Sequence, residues 1–282
     1  MPENKIRVTA IQRLCVNDGP GVRTVVFLKG CYLHCPWCCN PEAIQYDGDE
    51  YFDEGKCKYP EKNKLCQNCE LFGGKQSKEM CPLGVYEKTY SDYSVDELFE
   101  LLMRDISLYR GGGGVTFSGG EPLFQAEALE PLLNKLKKEN VHICFETTLY
   151  APVEKYMLIR NYVDYWLVDL KFQYGYIQNN KYKTDISLFE SNLMDIQKEE
   201  QNHCYRMVIM KEILHKTDLI VDELLKHHID TIELLPYHAL AENKYKKLKK
   251  TFHRFGTPTN NDMEILKESI ESRGIECRFL QL

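Results

Sequence analysis

A run of about 18 apolar residues, the minimum for a membrane-spanning helix, is absent from the chain. The first residues, MPENKIRVTAIQRL, also lack the apolar core of a secretion signal. Basic charge is short: 36 Lys and Arg stand against 42 Asp and Glu, a net charge of −6. A general nucleic-acid binder needs a net basic face, so that class is disfavoured. A cytoplasmic location, with neither nucleic acid nor membrane as partner, is expected. What is present, 43% hydrophobic and 28% charged residues in a chain of 282, suits a globule with a substantial core rather than a disordered chain. That length permits one large α/β barrel or two ordinary domains.

Cysteine is the abundant exception. Twelve occur, at 15, 31, 35, 38, 39, 57, 66, 69, 81, 144, 204 and 277, and eight of them fall between 31 and 81. In a reducing compartment disulfides are a poor explanation, and clustered thiols point to metal.

Short apolar runs alternate with helical patterns along most of the chain. Strands are predicted at 24–29, 115–117, 141–145, 165–169, 205–210, 231–235 and 275–279. Ser94-Val95-Asp96-Glu97 is a capping box opening a helix. Further helices are predicted near 126–139, 186–200, 217–228 and 261–273. Such alternation implies parallel strands joined by crossovers, either a partial barrel or an open doubly wound sheet. In both, functional groups collect at the carboxyl ends of the strands. Gly30-Cys31, Ser118-Gly119-Gly120-Glu121, Glu146-Thr147, Asp169-Leu170-Lys171 and Pro236-Tyr237-His238 each follow a predicted strand and should meet on one face. Residues 43–90 break the alternation and read as an inserted lobe. The division is therefore 1–42 (first strands and cysteine loop), 43–90 (insert) and 91–282 (remainder of the barrel).

Cys31, Cys35 and Cys38 lie on eight consecutive residues after a strand. Three soft thiolates so spaced can grip three irons of a cubane cluster and leave the fourth without a protein ligand. An open coordination position is what a catalytic metal requires, whereas structural sites are closed. A zinc site of these cysteines with His34 is the bland alternative. Cys39 adjoins Cys38 with its side chain leaving in another direction; it reads as a small residue packed beside the cofactor, not as a fourth ligand.

These residues resemble the radical S-adenosylmethionine (SAM) enzymes, whose signature loop CxxxCxxC is matched by Cys31, Cys35 and Cys38. Asp18-Gly19-Pro20-Gly21-Val22-Arg23-Thr24, Asn40-Pro41-Glu42 and TFSGGEPLFQ at 116–125 extend the likeness to the glycyl-radical-enzyme activating enzymes, over about residues 10–240. The resemblance implies a partial (β/α)6 TIM-like barrel with an inserted ferredoxin-like lobe. It implies a [4Fe–4S] cluster on three cysteines whose open iron binds SAM. Reductive cleavage of SAM would give a 5′-deoxyadenosyl radical that removes a hydrogen atom from a glycine Cα of a partner enzyme. The implied partners are a glycyl radical enzyme and a flavodoxin- or ferredoxin-type electron donor, with the chain itself a monomer.

The resemblance also assigns roles. Gly119 and Gly120, lacking Cβ, would let the backbone approach the methionine end of SAM, and Glu121 would help orient its amino group. Asp169, Lys171 and Arg206 match residues that contact SAM; His238 matches one near the ribose, and Trp37 would pack near the adenine. Glu146, Thr147 and Asp169 match positions holding a monovalent cation, though Glu146 replaces the usual aspartate. After Arg206 the sequence MVIMKEILHKTD also lacks the Pro-Gly turn common in relatives.

In the insert, Cys57, Cys66, Cys69 and Cys81 fall within 25 residues and resemble a stretched half of a bacterial ferredoxin module. Some activating enzymes carry eight cysteines and two clusters there; four allow one auxiliary [4Fe–4S] cluster or a zinc knuckle. The basic run Lys244–Lys250 with Arg254 reads as a solvated helix face, with a docking surface for an acidic partner as the sharper alternative. Cys15, Cys144, Cys204 and Cys277 read as buried. The competing functions are a radical SAM maturase acting on a ribosomal peptide, and a ferredoxin-like carrier or zinc protein without SAM.

Overall fold

The computed structural model describes residues 5–58, 69, 70, 75, 81–171 and 185–280. Its strands in chain order are β1 (Ile6–Cys15), β2 (Arg23–Leu28), β3 (Glu50–Phe52), β4 (Tyr86–Lys88), β5 (Ser91–Tyr93), β6 (Gly114–Gly119), β7 (His142–Thr147), β8 (Tyr165–Asp169), β9 (His203–Ile209), β10 (Thr231–Pro236) and β11 (Glu276–Phe279). The helices are α1 (Val95–Met103), α2 (Ala126–Lys138), α3 (Val153–Ile159), α4 (Ile186–Lys198), α5 (Thr217–Lys226), α6 (Glu242–Lys247) and α7 (Asn260–Glu271). One nine-stranded sheet runs β11-β10-β9-β8-β7-β6-β2-β1-β5. From β2 through β6 to β11 every neighbouring pair is parallel. This is the architecture of a partial barrel. β1 and β5 extend it by antiparallel pairing, and β3 with β4 forms a separate two-stranded sheet.

The parallel strands alternate strictly. Val115, Phe117, Ile143, Phe145, Trp166, Val168, Tyr205, Met207, Ile232 and Leu234 enter the buried core. Their neighbours on the opposite face include Thr116, Ser118, Cys144, Glu146, Asp169, Arg206 and Glu233. With a side-chain period of two, one face packs under the helices while the other is free to carry polar groups. Phe117–Phe145, Phe145–Trp166 and Trp166–Tyr156 ring pairs, with centroids 5.3, 5.8 and 5.3 Å apart, knit β6, β7, β8 and α3. The α2 stripe Ala126, Leu129, Leu132, Leu133 and Leu136 is wholly buried, the spacing of one helix face. The capping box at Ser94 is formed in both directions. Among the described residues no helix is long and apolar enough to cross a membrane.

The Asp18–Thr24 motif lies at the opposite end of the sheet from the cysteine loop. Arg23 is fully buried and spends its guanidinium on the Pro20 (2.8 Å), Val115 (2.7 Å) and His142 (3.2 Å) carbonyls and on Thr116 Oγ1 (2.6 Å). Thr116 in turn donates to the Asp18 carbonyl at 2.6 Å. Gly21, at φ +68°, has no room for a side chain: a Cβ would lie 2.5 Å from the Gly113 nitrogen. Half of the signature is thus a structural lock. We predict that Arg23→Met, which leaves buried acceptors unpaired, costs roughly 3 kcal/mol or more. Anaerobic urea denaturation of full-length protein checks this.

Candidate active site

All five strand-end segments meet, as the parallel-strand rule requires. Cys31, Ser118 to Gly120, Glu146 to Thr148, Asp169 with Lys171, and Leu235 to His238 line one cavity of about 230 Å³, together with Cys35, Trp37, Cys38 and Cys39. His34 is not part of its wall.

The cysteine loop is held by backbone. Gly120 N donates to the Leu28 carbonyl and Glu121 N to the Gly30 carbonyl, both at 2.8 Å. A Cβ at Gly120 would stand 2.2 Å from the Gly30 oxygen and 2.7 Å from the Ala43 oxygen. The loop's exit returns to its entry through Gly30 N to Ala43 O (2.7 Å) and Cys31 N to Ile44 O (2.9 Å).

Two of the thiols already accept backbone N–H groups: Leu33 N to Cys31 Sγ and Asn40 N to Cys38 Sγ, each 3.4 Å. Burial pushes the Cys35 thiol up to about 11 and the Cys38 thiol up to about 12; Cys31 is raised by burial and then by Glu121 and Cys35. Lys171 counters this, favouring the thiolates of Cys35 and Cys38. Thiols so raised are deprotonated by ligation, not by the pocket alone. Among the described residues no three His, Cys, Asp or Glu side chains converge on a single-ion geometry. Three mutually interacting thiols around a cavity, with N–H donors on two sulfurs, fit a soft multi-iron cluster.

The acid–base residues divide into those facing the cavity and those behind it. Lys171 Nζ bonds Asp169 Oδ2. Burial lowers the Lys171 ammonium, but Asp169 and the thiols outweigh it and hold it above its ordinary value. Asp169 Oδ1, the Tyr237 hydroxyl and His238 Nδ1 are buried with no hydrogen-bond partner among the described residues, and all three residues line the cavity. Such orphaned groups suit a polar ligand carrying donors and acceptors. Trp37, 4% exposed, forms an apolar part of the wall against Phe255.

Glu121 and Arg206 do not line this cavity. The fully buried Glu121 carboxylate accepts from Thr147 Oγ1 (2.6 Å), Thr148 N and Oγ1 (both 2.8 Å) and Leu123 N (3.2 Å). Burial raises its pKa and these four donors pull it back. It ties the loop after β6 to the loop after β7. Arg206 pairs with Glu233 (3.0 Å), approaches Glu146 (3.9 Å) and donates to the Asn17 carbonyl (2.8 Å). It lines a second cavity with Cys204 and Glu233. Glu146, raised by burial and lowered by Arg206, also accepts from Ser118.

Three expectations need correction. Cys39 is exposed rather than packed, its sulfur 3.9 Å from His238 Nε2 at the cavity wall. Cys204 is half-buried. The run Lys244–Lys250 is solvated only in part: the Lys244 and Lys250 side chains, 39% and 30% exposed, also turn their ammonium groups onto the cysteine loop. Of the four cysteines expected to share an auxiliary site, Cys57, Cys69 and Cys81 are free and half-buried, while Cys66 lies outside the described residues. Sequence reasoning did not pick out Thr148, although it follows a strand whose end was marked, and it named Tyr237 only as part of the Pro236–His238 segment, with no role of its own.

Residues 17–188 match the family model of a 4Fe-4S single cluster domain. The chain is 33% identical over 276 residues to pyruvate formate-lyase 2-activating enzyme of Escherichia coli (strain K12), covering 96% of this chain and 91% of the relative. It is 30% identical over 304 residues to 4-hydroxyphenylacetate decarboxylase activating enzyme of Clostridioides difficile, covering 95% and 93%. The crystal structure of QueE from Escherichia coli superposes with a TM-score of 0.55 at 13% identity, over 99% of this chain and 96% of that one. That likeness is one of fold alone.

Gly120→Ala is predicted to displace the cysteine loop, costing about 1–3 kcal/mol and raising the reactivity of Cys31, Cys35 and Cys38 toward a thiol reagent. Gly111→Ala, where an added Cβ meets nothing within 4 Å, is the control and should leave both measurements unchanged.

Proposed function

The chain belongs to the radical SAM glycyl-radical-enzyme activating enzymes, and from that premise we propose that Cys31, Cys35 and Cys38 hold its [4Fe–4S] cluster and that SAM occupies the cavity beside them. The observation that carries this reading is the single cavity shared by the three thiols, the Ser118–Gly120 turn, Asp169, Lys171 and His238. When bound, the reduced cluster and SAM supply the chemistry: cleavage of the sulfonium bond to methionine and a 5′-deoxyadenosyl radical, which takes a hydrogen atom from a glycine Cα of the partner enzyme.

The chain's own residues bind, orient and exclude water. Gly119 and Gly120 present backbone at the cavity wall, but the space their missing side chains leave is taken by the Phe27–Leu28 backbone and the Gly30 and Ala43 carbonyls, not by the ligand. Lys171, fixed by Asp169, supplies a cation suited to a carboxylate. Trp37 and His238 supply the wall for the nucleoside end. Glu121 and Arg206 act through neighbours: Glu121 sets Thr147 and Thr148, and Arg206 sets Glu146. Leu33, Val208 and Leu235 add apolar surface to the same cavity, which keeps water from a reactive intermediate.

For the remaining ligands we propose Glu146, Thr147 and Asp169 as the seat of a monovalent cation. Hard oxygens suit such an ion, and the unpartnered Asp169 Oδ1 supports it. Cys57, Cys66, Cys69 and Cys81 are assigned one auxiliary [4Fe–4S] cluster within a lobe at 43–90, flanked by the barrel segments 1–42 and 91–282. The donor is a flavodoxin or ferredoxin, and the chain acts as a monomer in the cytoplasm on a glycyl radical enzyme. A peptide maturase is set aside because the full-length relatives are activating enzymes.

Anaerobic incubation with SAM, a reductant and a glycyl radical enzyme is expected to yield a doublet glycyl signal by electron paramagnetic resonance. Intact clusters and SAM turnover without that doublet contradict the assignment. Cys31→Ala/Cys35→Ala/Cys38→Ala protein should retain about four irons and four sulfides from the auxiliary cluster alone; zinc in their place overturns the assignment of the insert.

A further inference from the structure

Seven consecutive carbonyls leaving the cysteine loop, from Cys38 to Ile44, are all engaged. Backbone takes three of them: Ala43 N donates to Asn40 O (2.9 Å), and Gly30 N and Cys31 N donate to Ala43 O and Ile44 O. Four side chains from elsewhere take the others. Tyr245 Oη donates to Cys38 O at 3.2 Å, Lys244 Nζ to Cys39 O at 3.2 Å, Lys250 Nζ to Pro41 O at 3.2 Å, and Lys29 Nζ to Glu42 O. Three of these four donors are ammonium groups, and Lys29 is fully buried. Sequence separations near 205 residues make the run Lys244–Lys250 a long-range brace.

We propose that Lys29, Lys244, Tyr245 and Lys250 form a clamp on the outer side of the cysteine loop, which fixes residues 38–44 and makes the cluster held there easier to reduce. The proposal rests on the cluster assignment above and concerns positioning residues only.

Two observations carry it. Lys244 grips two consecutive residues: besides Cys39 O it reaches Asn40 Oδ1 at 3.0 Å. Asn40 N is the donor to Cys38 Sγ, so the clamp holds an N–H···S bond to a cluster ligand, a recognised lever on iron–sulfur potential. The second is charge. Glu42 and Asp49 are the carboxylates in the clamp, at 2.6 Å from Lys244 and 2.7 Å from Lys250, with Asp49 also 3.8 Å from Lys29. Lys244 and Lys250 supply the removable positive charge, since burial lowers the Lys29 ammonium to about 8 and the buried Glu121 carboxylate acts on Cys31 from the other side. On the cavity side Lys171 is paired with Asp169. Reduction adds one electron to a cluster bound by three thiolates, and the Lys244 and Lys250 charges, on side chains 39% and 30% exposed, favour that state by an amount that solvent screening reduces. An exposed ion pair would contribute little, but here the acceptors are carbonyls of a segment in which Pro41, Glu42 and Ala43 are buried.

The test uses full-length, anaerobically purified protein in two arms. Lys244→Gln/Lys250→Gln removes charge and leaves an amide donor; Lys244→Arg/Lys250→Arg keeps charge. In a redox titration followed by electron paramagnetic resonance, the signal that changes on adding SAM identifies the cluster concerned. Its midpoint is expected to move to more negative potential in the Gln pair and to stay near wild type in the Arg pair. If the Gln pair loads poorly, single Lys250→Gln, whose contact is with Pro41, carries the same comparison. A wild-type midpoint in the loaded Gln variant overturns the charge effect. In the second arm, hydrogen exchange at the amides of Gly30, Cys31, Asn40 and Ala43 is expected to quicken roughly tenfold or more in Lys244→Met/Lys250→Met. Unchanged exchange overturns the clamp whether or not a cluster is present. A wild-type chain that takes up no cluster fails the cofactor assignment, and this second arm still decides the clamp.

Discussion

The site depends on one close approach of backbone to backbone, where the turn after β6 passes under the cysteine loop. Only an unsubstituted Cα fits at Gly120, with the Gly30 and Ala43 carbonyls on either side of it. From that contact the order propagates outward. Glu121, the next residue, is buried and fixes Thr147 and Thr148 beyond β7. The β7 loop is fixed in turn by Asn192 of α4, whose amide donates to the Leu149 and Ala151 carbonyls at 2.9 Å each. Three loops and a helix are thereby set relative to three thiols.

The polar face of the sheet carries its charges as compensated groups. Arg206 stands opposite Asp169 and Glu233 in register, and its guanidinium goes to Glu233 and toward Glu146. Lys171 goes to Asp169. Buried charges persist only when paired or hydrogen-bonded, and here pairing leaves one Asp169 oxygen and the Tyr237 and His238 polar atoms available at the cavity. The wall is thus selective about where an incoming charged ligand finds partners. Asp49 and Phe52 meet the same region from outside, since Asp49 links Lys29 to Lys250 and Lys249 sits 3.9 Å over the Phe52 ring of β3.

Much of this was legible in the residues. Strand alternation, the Ser94 capping box and the α2 stripe are local signals, read within a few residues of each other. The meeting of Cys31, Gly119, Asp169 and His238 followed from the parallel-strand rule once the strands were placed. β1 was harder, because Arg7, Gln12 and Arg13 interrupt its apolar pattern and its pairing with β2 and β5 is what defines it. Glu121, Arg206 and Lys244 show the limit of such reading. A charged residue next to a motif has no way of announcing whether it faces a ligand or a carbonyl about 200 residues away, and only packing decides. The same holds for Arg23, where a motif associated with function proves to be a buried lock.

The central claim is a cubane anchored by Cys31, Cys35 and Cys38 whose fourth iron is left for SAM. Mössbauer spectroscopy of protein reconstituted with isotopically enriched iron, recorded before and after adding SAM, tests it most directly. The account predicts that one iron of this cluster changes its isomer shift on SAM binding while the other three do not. Four irons indifferent to SAM, with a fourth protein side chain on the cluster, would contradict it.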